Sequence, residues 1–209
     1  LLIYPDSPES RERALRVVNA GGLVAFRTDT FYGVGADPFN PEALEAINAL
    51  KGRDGKPILV LVSDTEAARR LVARRTRAFD VLSARHWPGA LTLVAEARAE
   101  VPELLTGGTR TVGVRLPDDA EARAFVRACG RMLTATSANV AGAKPARTAA
   151  EVARYFPEAQ GLIIDGGAAR TELPSTVLDV SGERPRLIRE GVVTRTELEE
   201  TLRSEGIEL

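Results

Sequence analysis

The chain is nearly without lysine: Lys51, Lys56 and Lys144 stand against 25 arginines in 209 residues. Two of the three fall in one short loop, LKGRDGKP (50–57), and the third in AGAKPAR. Lysine is a compact, flexible point charge and arginine a rigid planar fork, so a loop that follows a crowded phosphate has reason to keep lysine. Cysteine occurs once, as Cys129, which excludes an intramolecular disulfide and a Cys-based metal cluster. Within ARAFVRACG it reads as a small buried apolar residue. His86 is the lone histidine, so a triad or zinc site would rest on it alone, and nothing near it offers ligand spacing; it reads as structural. GxxxxGK[ST] does not occur, and YGVGADP is not GxGxxG, so neither phosphate-binding fingerprint is present. Aromatics make up 5% and net charge is −1, which gives few stacking platforms and no global field toward nucleic acid or membrane. Any polyanion site must therefore be a local cluster. No apolar run approaches the roughly 20 residues of a membrane span. The start, LLIYPDSPES, lacks a basic segment followed by an apolar one, so no secretory signal is expected and the cytoplasm is the expected compartment.

What is there suits one soluble domain over 1–209, with 44% hydrophobic and 27% charged residues and enough length for a real core. Helical periodicity covers 8–20, ended by Gly21-Gly22, and 41–50, with Asn40 as cap and Pro41 in the first turn. Further helices are expected at 64–74, 76–85, 118–129 (capped by Asp118 and Asp119), 148–156 (Thr148 as cap) and 194–204. The last carries Thr194 three residues before Glu197, a capping-box pattern. Short apolar runs at 23–27, 57–62, 90–97, 111–117, 131–136, 161–167, 175–180 and 184–189 read as strands or extended pieces. Helices and strands alternate without repeat or linker. The expected fold class is α/β (α+β), one domain built on an open twisted mixed sheet flanked by helices.

Polar residues interrupt the ends of these apolar runs in four places: FRTDTFYGVGADP, LKGRDGKP, LTATSANVAGAKPART, and LPSTVLDV with LIREGVV. Singly, each is also what a turn requires. Together they supply Lys, Arg, hydroxyls and Gly-freed backbone N–H groups, with no paired carboxylates and no nucleophile–base dyad. That inventory fits binding a multiply charged anion and aligning two reactants, as in phosphoryl or nucleotidyl transfer. It does not fit hydrolysis through a covalent protein intermediate.

The ordered set RTDTFYGVGADPFNPEAL, ALKGRDGKPILVLV, HWPGALTLV, VGVRLP, TSAN, STVLDV and LIREGVV resembles the YrdC-like family of L-threonylcarbamoyladenylate synthases over nearly the whole chain. Lys51-Gly-Arg53 and Ser137-Ala-Asn139 match the family's paired signature. The resemblance implies a large basic concavity in the sheet, and a reaction in which L-threonine, bicarbonate or CO2 and ATP give threonylcarbamoyl-AMP and pyrophosphate. The product would pass to separate transferase proteins that modify an adenosine of tRNA. By the same resemblance Lys51, Arg53, Ser137, Asn139 and Arg189 would contact ATP, Lys56 and Thr111 would add nucleotide contacts, and Lys51 and Arg53 would be the catalytic cations. Thr30, Arg115 and Ser175 would hold threonine, with Tyr32 beside them. Mg²⁺ would be carried in by ATP, with no protein metal site and no membrane partner.

The chain departs from the family in three places. Leu61 stands where some relatives carry His, Pro174 precedes STV where Glu is usual, and the loop between Arg53 and Pro57 is one residue shorter. Two other readings stay open at this point: an RNA-binding module holding tRNA or rRNA in the same concavity, and a diverged ATP-using enzyme acting on another amine.

Overall fold

The computed structural model describes residues 2–52, 55–159 and 161–209. In chain order, β1 (Leu2–Pro5) leads through α1 (Pro8–Asn19) to β2 (Val24–Arg27) and β3 (Tyr32–Gly35). There follow α2 (Pro41–Lys51), β4 (Val60–Val62), α3 (Thr65–Arg69), β5 (Val72–Arg74), α4 (Arg77–His86) and β6 (Leu91–Ala97). Next come α5 (Glu103–Thr106), β7 (Thr111–Arg115), α6 (Ala120–Ala128), β8 (Met132–Thr134) and β9 (Thr136–Ser137). The chain ends with α7 (Ala149–Tyr155), β10 (Leu162–Asp165), β11 (Thr176–Asp179), β12 (Arg186–Arg189) and α8 (Arg195–Arg203).

The strands form two mixed sheets, of order β1-β10-β2-β3-β9 and β12-β11-β6-β7-β4-β8, with β5 also against β6. The expected single open sheet is thus two sheets, and the segment 132–137 joins them. β8 pairs antiparallel with β4, and two residues later β9 pairs with β3. Thr134 fixes the joint: its Oγ1 accepts the Ala36 N–H at 2.8 Å and its own N–H donates to Ala36 O at 3.0 Å. Between the sheets lies a core that includes Phe26, Leu61, Phe125 and Leu133, with the Phe26 and Phe125 ring centroids 4.8 Å apart. The largest core lies mainly among β6, β7, α2, α4 and α8, and a third involves α7. Among the described residues no helix is long and apolar enough to cross a membrane.

Caps set the helix starts where the sequence marks them. Asn40, Thr148 and Thr194 each accept a backbone N–H of the first turn, and Thr194 with Glu197 completes a capping box. At α6 the cap is Asp119 alone. Several elements also differ from expectation. The helix at 64–74 stops at Arg69, because Val72 is buried and pairs with Ala97 in the sheet. β1 and β3 form where a terminus and a loop were read, and α5 is a single turn the pattern did not show. His86 is structural, as expected. Its Nε2 lies 3.0 Å from Thr201 Oγ1, whose hydroxyl is also 2.9 Å from Glu197 O, and the contact docks α8 on α4.

Gly35 sits where β3 meets β8. A Cβ there would lie 2.6 Å from Thr134 O and 2.9 Å from a Phe26 ring carbon. Gly35→Ala should therefore destabilise the protein by about 1–3 kcal/mol through overpacking of an immobile backbone oxygen, seen as a lowered midpoint in urea unfolding with an unchanged slope.

Candidate functional site

A cavity of about 660 Å³ opens between the two sheets. Its inner end is built by strand termini. β2 ends in the turn Thr28-Asp29-Thr30, β7 ends in Arg115, and Ser175 precedes β11. Thr30, Thr92, Arg115 and Ser175 are buried and line the cavity. Arg115 is 3% exposed; its Nη1 donates to Asp29 Oδ1 at 2.6 Å and its Nη2 to Thr30 Oγ1 at 3.4 Å. Arg115 Nε is buried without a hydrogen-bond partner among the described residues.

The hydroxyl protons can be followed. Thr28 gives its proton to Phe31 O at 2.8 Å, so Thr30 is the donor in the 3.1 Å Thr28–Thr30 contact. In that arrangement Thr30 Oγ1 accepts from Arg115 Nη2 and keeps a lone pair for a donor in the cavity.

Arg189, at the end of β12, reaches back to Ser175: Nη2 donates to Ser175 O at 2.9 Å and to Oγ at 3.3 Å, and Nε to the same carbonyl at 3.2 Å. Ser175 Oγ also contacts Thr92 Oγ1 at 3.0 Å. The approach depends on Gly191, whose Cβ would fall 2.1 Å from Pro174 O. Arg189 is exposed as a residue. Even so, the protein packed around its guanidinium lowers its pKa, and the like charge of Arg115 acts in the same direction. Among the described residues no carboxylate pairs with Arg189. A cation that its surroundings repel, facing a cavity, is an invitation to an anion.

At the outer end Ser137 lines the cavity beside Asn139. Ser137 Oγ donates to Asn139 Oδ1 at 2.6 Å, and Asn139 Nδ2 donates to Ala143 O at 2.6 Å. Lys51 ends α2, ahead of the left-handed Gly52, and its ammonium turns onto this loop. Nζ donates to Ser137 O at 2.6 Å, to Asn139 Oδ1 at 3.0 Å, and to Asn139 O. Thr111 lines the wall, its hydroxyl 2.9 Å from that of Thr109.

The structure thus brings Thr30, Tyr32, Thr111, Arg115, Ser137, Ser175 and Arg189 to one cavity, with Lys51 and Asn139 attached through the 137–139 loop. Arg53 lies outside the described residues. Lys56 is exposed and is not part of the lining. Tyr32 lines the cavity; its hydroxyl donates to Gly167 O at 2.8 Å and contacts Asp165 Oδ1 at 3.1 Å, and burial raises its pKa. Leu61 is fully buried in the core between the sheets and does not line the cavity, so its difference from His is not exposed to a ligand. Sequence reasoning passed over Thr28, Asp29 and Thr92. The signal for Thr92 was a polar residue on the face of the strand LTLVA opposite its core leucines, the face that lines the cavity with Val94; Asp29 stood inside a quoted motif.

A family model described as telomere recombination, that of the Sua5, YciO and YrdC proteins, matches residues 16–191. The chain belongs to this family. It is 38% identical over 181 residues to a threonylcarbamoyl-AMP synthase of Thiobacillus denitrificans, covering 84% of this chain and 96% of that one. A protein of the same name from Pyrococcus abyssi is 36% identical over 187 residues, covering 88% of this chain but 55% of its own. The chain therefore spans about half the length of that relative. Among solved structures, P. abyssi Sua5 complexed with L-threonine matches with TM-score 0.91 at 32% identity, over 99% of this chain and 61% of that one. E. coli YciO matches with TM-score 0.82 at 26% identity, over 94% and 97%. The family's mixed α/β fold is thus the fold of this chain.

Removing the Lys51 ammonium leaves two loop carbonyls and an amide oxygen without that donor. Lys51→Met should accelerate amide hydrogen exchange across residues 138–143 by about ten-fold, the loss of one net hydrogen bond, while α1 and α6 keep wild-type protection.

Proposed function

We propose that the chain is a threonylcarbamoyl-AMP synthase, a nucleotidyltransferase that joins L-threonine, bicarbonate or CO2, and the adenylyl group of ATP, releasing pyrophosphate. The observation that carries the reading is the convergence of Arg115 and Arg189 on one cavity that also holds the Ser137–Asn139–Lys51 loop. The named relatives support it, as does the threonine complex of the P. abyssi protein.

In this reading Arg115 takes the threonine carboxylate through its cavity-side guanidinium edge, a fork matched to two oxygens. Thr30 accepts from the amino acid's N–H or hydroxyl, the role its proton arrangement leaves it. Ser175, held by Arg189 and Thr92, closes the same end. Ser137, Asn139 and Thr111, with Arg189, Lys51, Arg53 and Lys56, form the nucleotide end.

The amine captures CO2 as a carbamate without a protein nucleophile. A carbamate oxygen then attacks the α-phosphorus, the bond to the bridging oxygen breaks, and pyrophosphate leaves. The protein's part is to hold two anions in line and stabilise charge on the phosphates. Asp179 is the single carboxylate in the described lining, and it is paired with Arg186 at 3.2 Å. Mg²⁺ therefore fits best as a passenger on ATP. The product, a mixed anhydride, would be handed in the cytoplasm to transferase proteins acting on tRNA.

The test is pyrophosphate release from ATP and Mg²⁺, with and without threonine and bicarbonate. Release that requires both supports the synthase. ATP binding without amino-acid-dependent release overturns it, and steeply salt-dependent tRNA binding would then point to an RNA module. Arg115→Lys should lower kcat/KM for threonine by about 10²-fold, because an ammonium cannot replace a bidentate fork, with the KM for ATP little changed.

A further inference from the structure

Arg115 carries a guanidinium that is only 3% exposed, at the end of a strand that faces a cavity. Its charge is answered from the other sheet. Asp29, in the turn after β2, takes Arg115 Nη1 at 2.6 Å on Oδ1 and the Asp118 N–H at 3.1 Å on Oδ2. One step along each segment the pairing is reversed. Arg27, the last residue of β2, places Nη2 2.9 Å from Asp119 Oδ2. That contact is an ion pair out of hydrogen-bond alignment, since Oδ2 has no hydrogen-bond partner among the described residues. Asp119 Oδ1 meanwhile caps α6.

Two ion pairs thus cross between the end of β2 and the β7–α6 junction, each segment giving one arginine and one aspartate. β2 and β7 belong to different sheets. The pair Arg27–Asp119 lies away from the cavity lining, whereas Arg115 is part of it.

We propose that Asp29 is a positioning residue for amino-acid recognition: it clamps Nη1 of the Arg115 guanidinium and so holds the group at the cavity wall, where a carboxylate can meet it. The proposal rests on the synthase reading for the identity of the amino acid, though not for the clamp itself. Asp29 does not line the cavity, and its Oδ1 and Oδ2 are both engaged by protein. Its effect on substrate therefore passes through Arg115. Without its charge, Arg115 and Arg189 would face each other with less compensation, and Arg115 would be free to rotate toward solvent.

The experiment compares Asp29→Asn with Asp119→Asn, which keeps the helix cap but removes the charge facing Arg27. With ATP, Mg²⁺ and bicarbonate, Asp29→Asn should raise the KM for L-threonine by about ten-fold, the value of one charge-assisted contact, and leave the KM for ATP within two-fold, roughly the scatter of such measurements. Asp119→Asn should lower the melting temperature without separating the two KM values. The clamp is also read without substrate, by NMR of arginine side-chain N–H signals, with the Arg115 signal assigned through Arg115→Lys. Restricted rotation of that guanidinium should be present in the wild type, lost in Asp29→Asn and kept in Asp119→Asn. If rotation is unchanged in Asp29→Asn, or both KM values rise together as in a merely destabilised protein, the proposal is overturned. If the rotation result holds but the wild type shows no amino-acid dependence, the clamp stands and the synthase reading falls.

Discussion

A guanidinium taken out of water needs a carboxylate to answer it, and the position of that carboxylate decides where the guanidinium points. Arg115 is answered by Asp29 from the opposite sheet, and much of the site follows from that contact. It sets Arg115 against Thr30 rather than toward solvent. It brings the turn after β2 to the start of α6, where Asp118 offers its N–H to the same carboxylate. It also leaves Arg189 as the cation without a counter-charge among the described residues, with its pKa lowered by burial and by Arg115. The cavity lining therefore carries two arginines answered by aspartates, Arg115 and Arg186, and one, Arg189, with no carboxylate partner among the described residues. A buried, clamped guanidinium such as Arg115 suits a ligand recognised by shape, such as an α-amino carboxylate; the unanswered Arg189 suits a ligand that brings excess negative charge, such as a triphosphate.

The two-sheet architecture is what makes such a cavity affordable to the fold. Were the strands one continuous sheet, the polar ends of β2, β7 and β11 would lie along a single edge. Instead the chain changes sheet between Thr134 and Thr136, and the strand ends face one another across a gap. The gap is held at Thr134 and Gly35 on one side and by the crossed Arg–Asp pairs on the other. Glycine at 35 and 191 allows backbone to approach backbone closely at two points, and those two points fix the 132–137 segment and the Ser175–Arg189 contact.

Much of this was legible in the sequence, and the remainder was not for definite reasons. Helix starts were visible because a cap is a local event: Asn40, Thr148 and Thr194 each satisfy N–H groups three residues away. β3 was missed because the two glycines of YGVG weaken its strand signal and it is held by pairing with β2 and β9, while the break between β8 and β9 was missed because 131–136 reads as one apolar run. The stretch 64–74 carries arginines and alanines that favour helix, yet Val72 has a place in the sheet beside Ala97, and tertiary pairing prevails. The site residues were found through ordered motifs rather than through local pattern. Asp29 escaped because its importance lies in a contact 86 residues away in sequence. Thr92 escaped because a threonine in an apolar strand looks like any other β-branched residue until its hydroxyl is seen against Ser175.

The scarcity of lysine has a structural counterpart at Lys51. Its ammonium meets three oxygens of one loop, two carbonyls and an amide, which converge from different directions. A planar guanidinium aims its donors within one plane and would satisfy such a cluster poorly, whereas an ammonium donates around a point. The loop is held from other sides as well: the Ala138 N–H donates to Tyr32 O at 2.9 Å and Asn139 Nδ2 to Ala143 O at 2.6 Å, so Lys51 adds a charged donor to a loop whose backbone is already anchored at β3.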